Sequence, residues 1–131
     1  MVDPVAVVQY YLVTVEGLTF YTGQRIYHNT SWPKGYTPAV GPAILMAMRP
    51  GGLYPDSDPL SVPSIQYQIC ANKIPLAYEV GRALWTALHR KSAAGIKLST
   101  RETNDQLLPQ QPEKGEWYIV LTAYRHWLVN S

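Results

Sequence analysis

The alternation of hydrophobic and polar residues predicts the strands of this chain. Residues 64–71 place Ile65, Tyr67 and Ile69 on one face, with glutamines and Cys70 on the other, as a half-buried strand does. Three shorter strands are predicted at 25–29, 43–48 and 96–101. The longest strand signal, over 117–129, carries apolar or aromatic groups on both faces, which is typical of a strand covered on both sides.

A spacing of three and four residues predicts two helices. Asp3 followed by Pro4 is a typical helix start, and apolar residues then recur to Val15, so we predict a helix over 4–16 that ends at Gly17. Leu84 and Leu88 lie one turn apart, with Tyr78, Gly81 and Trp85 on nearby positions. This second pattern predicts an amphipathic helix over 75–91 that packs on the sheet.

These elements predict an α+β fold with the order α-β-β-β-α-β-β. The chain has 131 residues, the size of one domain, so we expect a single domain over 1–131. The simplest architecture is a mixed or antiparallel sheet of four to five strands with the two helices packed against it. Residues 49–63 hold four prolines and two glycines, which predicts a long loop, and loops of this length are usually functional or disordered.

Composition points towards contacts between proteins. Charged residues make up 15% of the chain, which also holds ten tyrosines and four tryptophans, whereas globular proteins average about 25% charged residues. Tyr and Trp are enriched at protein interfaces, although they could equally fill the core. The net charge of +2 argues against a nucleic-acid-binding module, which usually has a clustered basic face. No apolar run approaches the ~18 residues of a membrane span, and no signal peptide is recognisable.

Candidate chemistry is sparse. The three histidines are far apart in sequence and have no metal-binding spacing. We expect each histidine to be a surface or partly buried side chain. Cys70 is the single cysteine, so no intrachain disulfide is possible, and mid-strand it reads as a packed thiol. Asp56 and Asp58 resemble a carboxylate pair, but in a proline-rich loop aspartates commonly form turns. We therefore expect no catalytic residue, no metal site and no cofactor.

Three segments carry a resemblance to a known family. They are SIQYQICA (64–71), YEVGRALWTALH (78–89) and EWYIVLTAYRHW (116–127), preceded by the Asp3-Pro4 helix and the start of the strand at Gly23 to Tyr27. In the order and length of its predicted elements and in its hydrophobic pattern, nearly the whole chain resembles the tail terminator, or tail completion, proteins of long-tailed bacteriophages.

The resemblance implies a structural role. Tail terminators are not enzymes. They form a ring, commonly a hexamer, that caps the growing tail tube, ends its polymerisation and presents a surface for head joining. The implied partners are further copies of the chain, the tail tube protein and a head-completion or connector protein, with DNA passing through the lumen without sequence readout. The implied location is the head-proximal end of the virion tail, after assembly in the host cytoplasm.

A ring closes only through heterologous contacts, in which one patch binds a different patch on the next copy. We expect a sheet edge or a helix face to make that contact, and the loops at 30–42 and 49–63 to reach the tube or the head. The candidate interface residues in these loops are Trp32, Tyr36, Leu53, Tyr54, Asp56 and Asp58. The competing interpretation is that the aromatic residues simply pin their own loops to the domain.

Three other functions stay open at this point. The chain could be another head–tail joining or minor tail protein of similar size. It could be a small ligand-binding or enzymatic α+β domain with a pocket under the 49–63 loop, which predicts a monomer or dimer with a polar cavity. The third is a nucleic-acid-binding module, whose affinity would fall steeply with salt.

Overall fold

The computed structural model describes residues 3–28, 31–49, 62–109 and 117–129. The helices are α1 (Pro4–Leu12), α2 (Glu16–Thr22) and α3 (Ile74–Leu88), with a short 3-10 helix at Pro38–Val40. The strands are β1 (Ile26–His28), β2 (Ala43–Met48), β3 (Ser64–Ala71), β4 (Ile96–Arg101), β5 (Gln106–Leu107) and β6 (Tyr118–Leu128).

The strands form one mixed sheet in the order β1-β2-β3-β6-β4, with β5 also paired to β6. β1 runs parallel to β2, and the other pairs are antiparallel. The predicted α+β class is confirmed, and β2, β3 and β4 have the predicted bounds. The described residues form six strands, one more than the four to five predicted. The additional strand is β5, whose two residues lie in a polar segment where hydrophobic and polar residues do not alternate.

The predicted helix over 4–16 is wrong in extent, because the structure has two helices there. α1 ends at Leu12, and the Thr14 hydroxyl donates a hydrogen bond to the Tyr11 carbonyl at 2.6 Å. Val15 then has extended backbone angles, which interrupt the helical hydrogen-bond ladder. Gly17 lies inside α2 and does not end a helix. The chain therefore turns after about two and a half helical turns, and both short helices lie on the same side of the sheet.

All three helices cover one face of the sheet, called here the helix-covered face. The Asp3 side chain caps α1 by accepting a hydrogen bond from the Val5 N–H at 3.0 Å, which satisfies one of the unpaired N–H groups of a helix start. The buried cluster beneath the helices includes Val8, Leu12, Ile44, Ile65, Tyr67, Ile69, Val80, Leu84, Leu88, Val120 and Tyr124. The alternation read from residues 64–71 is confirmed, because Ile65, Tyr67 and Ile69 all point into this core.

The second face of the sheet, called here the aromatic face, is held by a smaller cluster. Ala43 and Cys70 are buried there, with Ile119 packed against them. At the other end of β6, the Arg125 guanidinium lies 3.0 Å from the Glu102 carboxylate, and the Ser64 hydroxyl also donates to that carboxylate. Cys70 therefore lies on the predicted face as a packed thiol, and a largely buried ion pair ties β6 to the end of β4.

Candidate assembly surfaces

The outer face of α3 exposes large hydrophobic side chains. Ile74, Tyr78 and Trp85 are each more than one third exposed. The buried residues Leu84 and Leu88 lie on the buried side of the helix and pack on the sheet. Helical spacing places the three exposed hydrophobic residues and Arg82 on one stripe. The Trp85 ring stacks on His89 with centroids 4.6 Å apart. Tyr78 and Trp85, which the sequence pattern placed on positions near Leu84 and Leu88, are thus on the solvent side of the helix.

A groove of about 400 Å³ runs between this stripe and the connection from β4 to β5. We call it the α3 groove; its lining residues are Tyr78, Gly81, Arg82, Trp85, Thr86, Arg101 and Asp105. Arg101 and Asp105 form an ion pair at 3.5 Å along one wall. A Cβ atom built on Gly81 would lie 3.0 Å from the Asp105 carboxylate. Glycine at this helical position therefore allows the β4–β5 connection to approach α3 closely, and that approach forms the groove.

A second cleft of about 570 Å³ separates α1 and α2 from α3. Tyr11, Val15 and Tyr21 line it on one side, and Ala83 and Ala87 line it on the other. The Tyr11 hydroxyl crosses the cleft and donates to the Ala87 carbonyl at 2.6 Å. The charged residues of the lining, Glu79, Arg82 and Lys91, are all exposed. The cleft is thus largely apolar, with charge at its mouth.

The first two helices carry the most exposed aromatic residues among those described. Tyr10 on α1 and Phe20 on α2 are both 81% exposed, and we call them the knobs. In each helix the neighbouring apolar positions, Leu12 and Leu18, are buried, so the knobs point away from the sheet. Aromatic side chains exposed to this degree favour a binding role, since a single aromatic residue contributes a large apolar contact area.

Charge is distributed unequally between the two parts of the helix layer. Residues 3–22 contain two carboxylates, Asp3 and Glu16, and no lysine or arginine. Residues 73–101 contain six lysines and arginines, all exposed, against the single carboxylate of Glu79. Carboxylates therefore outnumber cations on α1 and α2, with Arg25 donating to the Tyr21 carbonyl at their end. Cations outnumber carboxylates on α3 and β4, and Glu102 and Asp105 follow directly after β4.

The two edges of the sheet are partly occupied by the chain itself. β1 has only three residues, and the side-chain amide of Gln9 donates to the Ile26 carbonyl at 2.7 Å. At the opposite edge, the Arg90 N–H donates to the Ser99 carbonyl at 2.8 Å. Short or covered edges oppose pairing with a strand of another chain. The exposed helix surfaces are therefore better candidates for contacts than the described strand edges.

The predicted interface residues Trp32 and Tyr36 lie in one aromatic cluster on the aromatic face. Their rings stack with centroids 5.3 Å apart, and Trp117 meets Tyr36 edge to face at 5.6 Å. Tyr36 is buried, and its hydroxyl donates to the Gly41 carbonyl at 2.8 Å; burial raises the pKa of this hydroxyl. Trp32 is half-buried and Tyr27 also borders the cluster.

Trp32 and Tyr36 were predicted either to contact a partner or to pin their own loop to the domain. Tyr36 and Trp32 hold their own loop against β6, and the half-buried Trp32 ring keeps some surface for a partner. Their interface role stays a prediction. Leu53, Tyr54, Asp56 and Asp58 lie outside the described residues.

The least expected polar feature is a buried hydrogen-bond chain on the helix-covered face. His126 Nδ1 lies 2.6 Å from the Ser99 hydroxyl, and His126 Nε2 lies 2.6 Å from the Tyr67 hydroxyl. All three side chains are fully buried, and burial lowers the pKa of His126 to about 3. A neutral imidazole can donate through one nitrogen and accept at the other, so the chain is satisfied without charge.

The prediction that each histidine is a surface or partly buried side chain is therefore wrong for His126. A serine beside a histidine is also the pattern of an activated nucleophile. Ser99 has no exposed surface here, and a nucleophile must reach its substrate, so this chain serves the packing of β3, β4 and β6. Among the described residues, no three His, Cys, Asp or Glu side chains gather as a metal site would require.

The comparisons with known proteins concern the fold. No protein-family model matches the chain, and no curated protein matches it. Among solved structures, the chain is similar to a component of the "Virion of native gene transfer agent (GTA) particle". The alignment covers 99% of this chain and 100% of that one, with a TM-score of 0.61 and 13% sequence identity. The two chains thus share a fold over their full lengths. No helix within the described ranges has the length and apolar character that crossing a membrane requires.

Proposed function

We propose that this protein is a structural component of a phage-like virion and, more narrowly, a tail terminator. In this proposal about six copies form a ring that caps the tail tube, ends tail polymerisation and presents the surface to which the head joins. The protein acts through contacts alone, without catalysis and without a cofactor. It resides at the head-proximal end of the tail.

The observation that carries this proposal is the full-length structural likeness to a gene transfer agent virion chain. The alignment covers 99% of this chain and 100% of the other, so the likeness concerns the whole fold and not a common substructure. The resemblance of residues 64–71, 78–89 and 116–127 to tail terminators supports the narrower role. These two supports are of different kinds, since one comes from the shape of the backbone and the other from sequence.

The exposed surfaces agree with a role in assembly. The knobs Tyr10 and Phe20, the α3 groove and the half-buried Trp32 are three separate aromatic surfaces on one small chain. A ring that caps a tube and receives a head needs at least three kinds of contact: one between copies, one to the tube protein and one to the head-completion protein. DNA would pass through the lumen without sequence readout.

The decisive experiment is binding to tail tubes. Purified protein carrying a small label is added to tubes polymerised from the tail tube protein, and its position is recorded by electron microscopy. We expect label at one end of each tube and no further growth when fresh tube protein is supplied. Label along the tube walls, or no label on tubes at all, would refute the terminator role; binding to head connectors alone would indicate a head–tail joining protein instead.

The mass of the purified protein in solution is a companion measurement. Light scattering over a concentration series should give a mass about six times that of the 14.7 kDa chain if the ring forms by itself. A terminator that assembles only on the tube end would remain a monomer in solution and still label tube ends, because flexible assembly segments can order on binding.

A further inference from the structure

The helix layer presents two unlike surfaces on its two halves. α1 and α2 pack over β1 and β2, whereas α3 packs over β3, β6 and β4. Because β1 and β4 lie at opposite edges of the sheet, the knobs and the α3 groove belong to opposite halves of the molecule. Two different patches on opposite halves are what a head-to-tail contact between identical copies requires.

The two surfaces are complementary in shape and polarity. Tyr10 and Phe20 project from the helices, and the α3 groove is a depression of about 400 Å³ with Tyr78 and Trp85 in its wall. Two aromatic side chains bury roughly 300–500 Å² between them. That is a large part of the ~800 Å² that each partner contributes to a standard interface. The knobs are thus sufficient to form the centre of such a contact.

The two surfaces also have opposite charge. Residues 3–22, which include both knobs, carry Asp3 and Glu16 and no lysine or arginine, and the Arg25 guanidinium donates to the Tyr21 carbonyl at the end of α2. In the groove lining, Arg82 and Arg101 outnumber the single carboxylate of Asp105, which pairs with Arg101 at 3.5 Å. Opposite potentials on facing patches favour the correct partner and disfavour the pairing of like patches. Two basic α3 surfaces would repel each other, which opposes a symmetric dimer through this helix.

We propose that neighbouring copies of this chain contact each other head to tail, with Tyr10 and Phe20 of one copy seated in the α3 groove of the next. The inference rests on the proposed ring function and identifies the surfaces that build the ring. Arg82 and Arg101 both line the groove, and guanidinium groups attract the faces of aromatic rings. A second copy, not a nucleic acid, is the favoured occupant, because the groove wall is aromatic and the opposing acidic surface is on the same chain.

The test uses two full-length variants that each lose one side of the contact. The knob variant is Tyr10→Ser with Phe20→Ser, and the groove variant is Tyr78→Ser with Trp85→Ser. We expect wild-type protein to have the ring mass by light scattering and each variant alone to be a monomer at the same concentration. Mixed in equal amounts, the two variants should form a species of about twice the 14.7 kDa chain, because one intact knob can seat in one intact groove.

Controls separate this contact from loss of folding. Val40→Ser removes another exposed apolar side chain, outside both surfaces, and should leave the ring mass unchanged. Arg82→Glu is a further test variant and not a control. It reverses one exposed charge in the groove and, like the knob and groove variants, should convert the ring to monomer. Circular dichroism melting curves of all variants should match the wild-type curve within a few degrees.

Several outcomes would overturn the inference while leaving the proposed function open to its own test on tail tubes. They are a ring mass that neither variant changes, variants that fail to pair when mixed, and a knob variant that labels tail-tube ends as the wild type does. A fourth is an Arg82→Glu variant that keeps the ring mass but no longer binds duplex DNA that the wild type binds. That result would assign the α3 surface to nucleic acid.

Discussion

The two faces of the sheet are built on different principles. The helix-covered face is closed by three helices over an aliphatic and aromatic core, and its main polar group is the satisfied chain of Ser99, His126 and Tyr67. The aromatic face has no α-helix among its described elements and is held instead by the Trp32–Tyr36–Trp117 cluster and the Arg125–Glu102 ion pair. The first face has the features of a folding core, whereas the second combines stabilising contacts with partly accessible aromatic rings.

Neighbouring residues of β3 provide the largest expected contrast between the faces. Ile69 is fully buried under the helices, and Gln68 is half-buried on the aromatic face. We expect Ile69→Ala to lower the free energy of unfolding by about 2–5 kcal/mol, through lost burial and an unfilled cavity. Gln68→Ala should cost under about 1 kcal/mol. Urea denaturation of both variants measures the difference, and equal losses would contradict the assignment of the core to one face.

Acid should destabilise the helix-covered face through His126. Its pKa of about 3 in the folded protein lies below the ordinary value of 6.5, so the unfolded chain binds the proton first. Stability is therefore intact above pH 6.5 and is lost as the pH falls towards 3. One pKa unit corresponds to about 1.4 kcal/mol, so His126 alone should cost roughly 3 kcal/mol at pH 4.

The measurement is the free energy of unfolding between pH 7 and pH 4 for wild type and for His126→Gln. Carboxylates contribute to both proteins over this range, so the difference between the two curves isolates the histidine. The variant should be less stable than wild type at pH 7, because the Ser99 and Tyr67 hydroxyls are no longer matched, and the gap should narrow as the pH falls. A gap that is constant with pH would show that His126 is protonated equally in the folded and unfolded states.

The ion pair on the aromatic face should have an intermediate effect. Arg125 is buried, and the Glu102 side chain is 21% exposed, so the pair is screened less than a surface pair. A double-mutant cycle with Arg125→Met and Glu102→Gln should give a coupling energy of about 1–3 kcal/mol. Exposed pairs typically give at most about 1 kcal/mol. The pair of Arg101 and Asp105, whose guanidinium side is 34% exposed and whose atoms lie 3.5 Å apart, is the comparison and should give a smaller coupling energy.

The aromatic cluster should show the smallest coupling. Trp32 meets Trp117 edge to face with centroids 6.2 Å apart, a geometry that contributes about 0.5–1.5 kcal/mol beyond buried area. A cycle of Trp32→Leu and Trp117→Leu, followed by thermal unfolding, measures this energy. Zero coupling would mean that the cluster holds its loop through burial alone. In that case Trp32 could leave Trp117 and contact a partner without losing any coupling energy.

Local patterns account for the parts of this fold that could be predicted. β2, β3 and β4 were predicted with their observed bounds because their alternation or their flanking glycines and prolines are contained within each segment. The break between α1 and α2 depends on the Thr14 hydroxyl and the extended Val15. The spacing of apolar residues continues unchanged across this break, so the sequence pattern predicts a single helix. β5 has two residues and exists through its pairing with β6, which no pattern within residues 106–107 records.

The surfaces were harder to predict than the elements. Tyr78 and Trp85 share a helix with Leu84 and Leu88, and composition does not distinguish an aromatic residue of the core from one on the outside. A helical wheel does separate them, since positions 74, 78, 82 and 85 form their own stripe. The Trp32–Trp117 contact and the His126 chain join residues distant in sequence, and the position of each partner follows only from the register of β6 with β3 and β4.

The position of β6 also constrains how the protein folds as it is made. β6 is synthesised after every other strand of the described residues, yet it lies inside the sheet between β3 and β4, and it supplies partners such as His126 for Tyr67, 59 residues earlier. Until β6 leaves the ribosome, β3 has an unpaired edge bearing Ile65 and Ile69. Exposed strands of this kind aggregate readily, and pairings between distant residues form slowly. Each nascent chain thus passes through a stage with an open sheet, during which binding by a chaperone would protect it from aggregation.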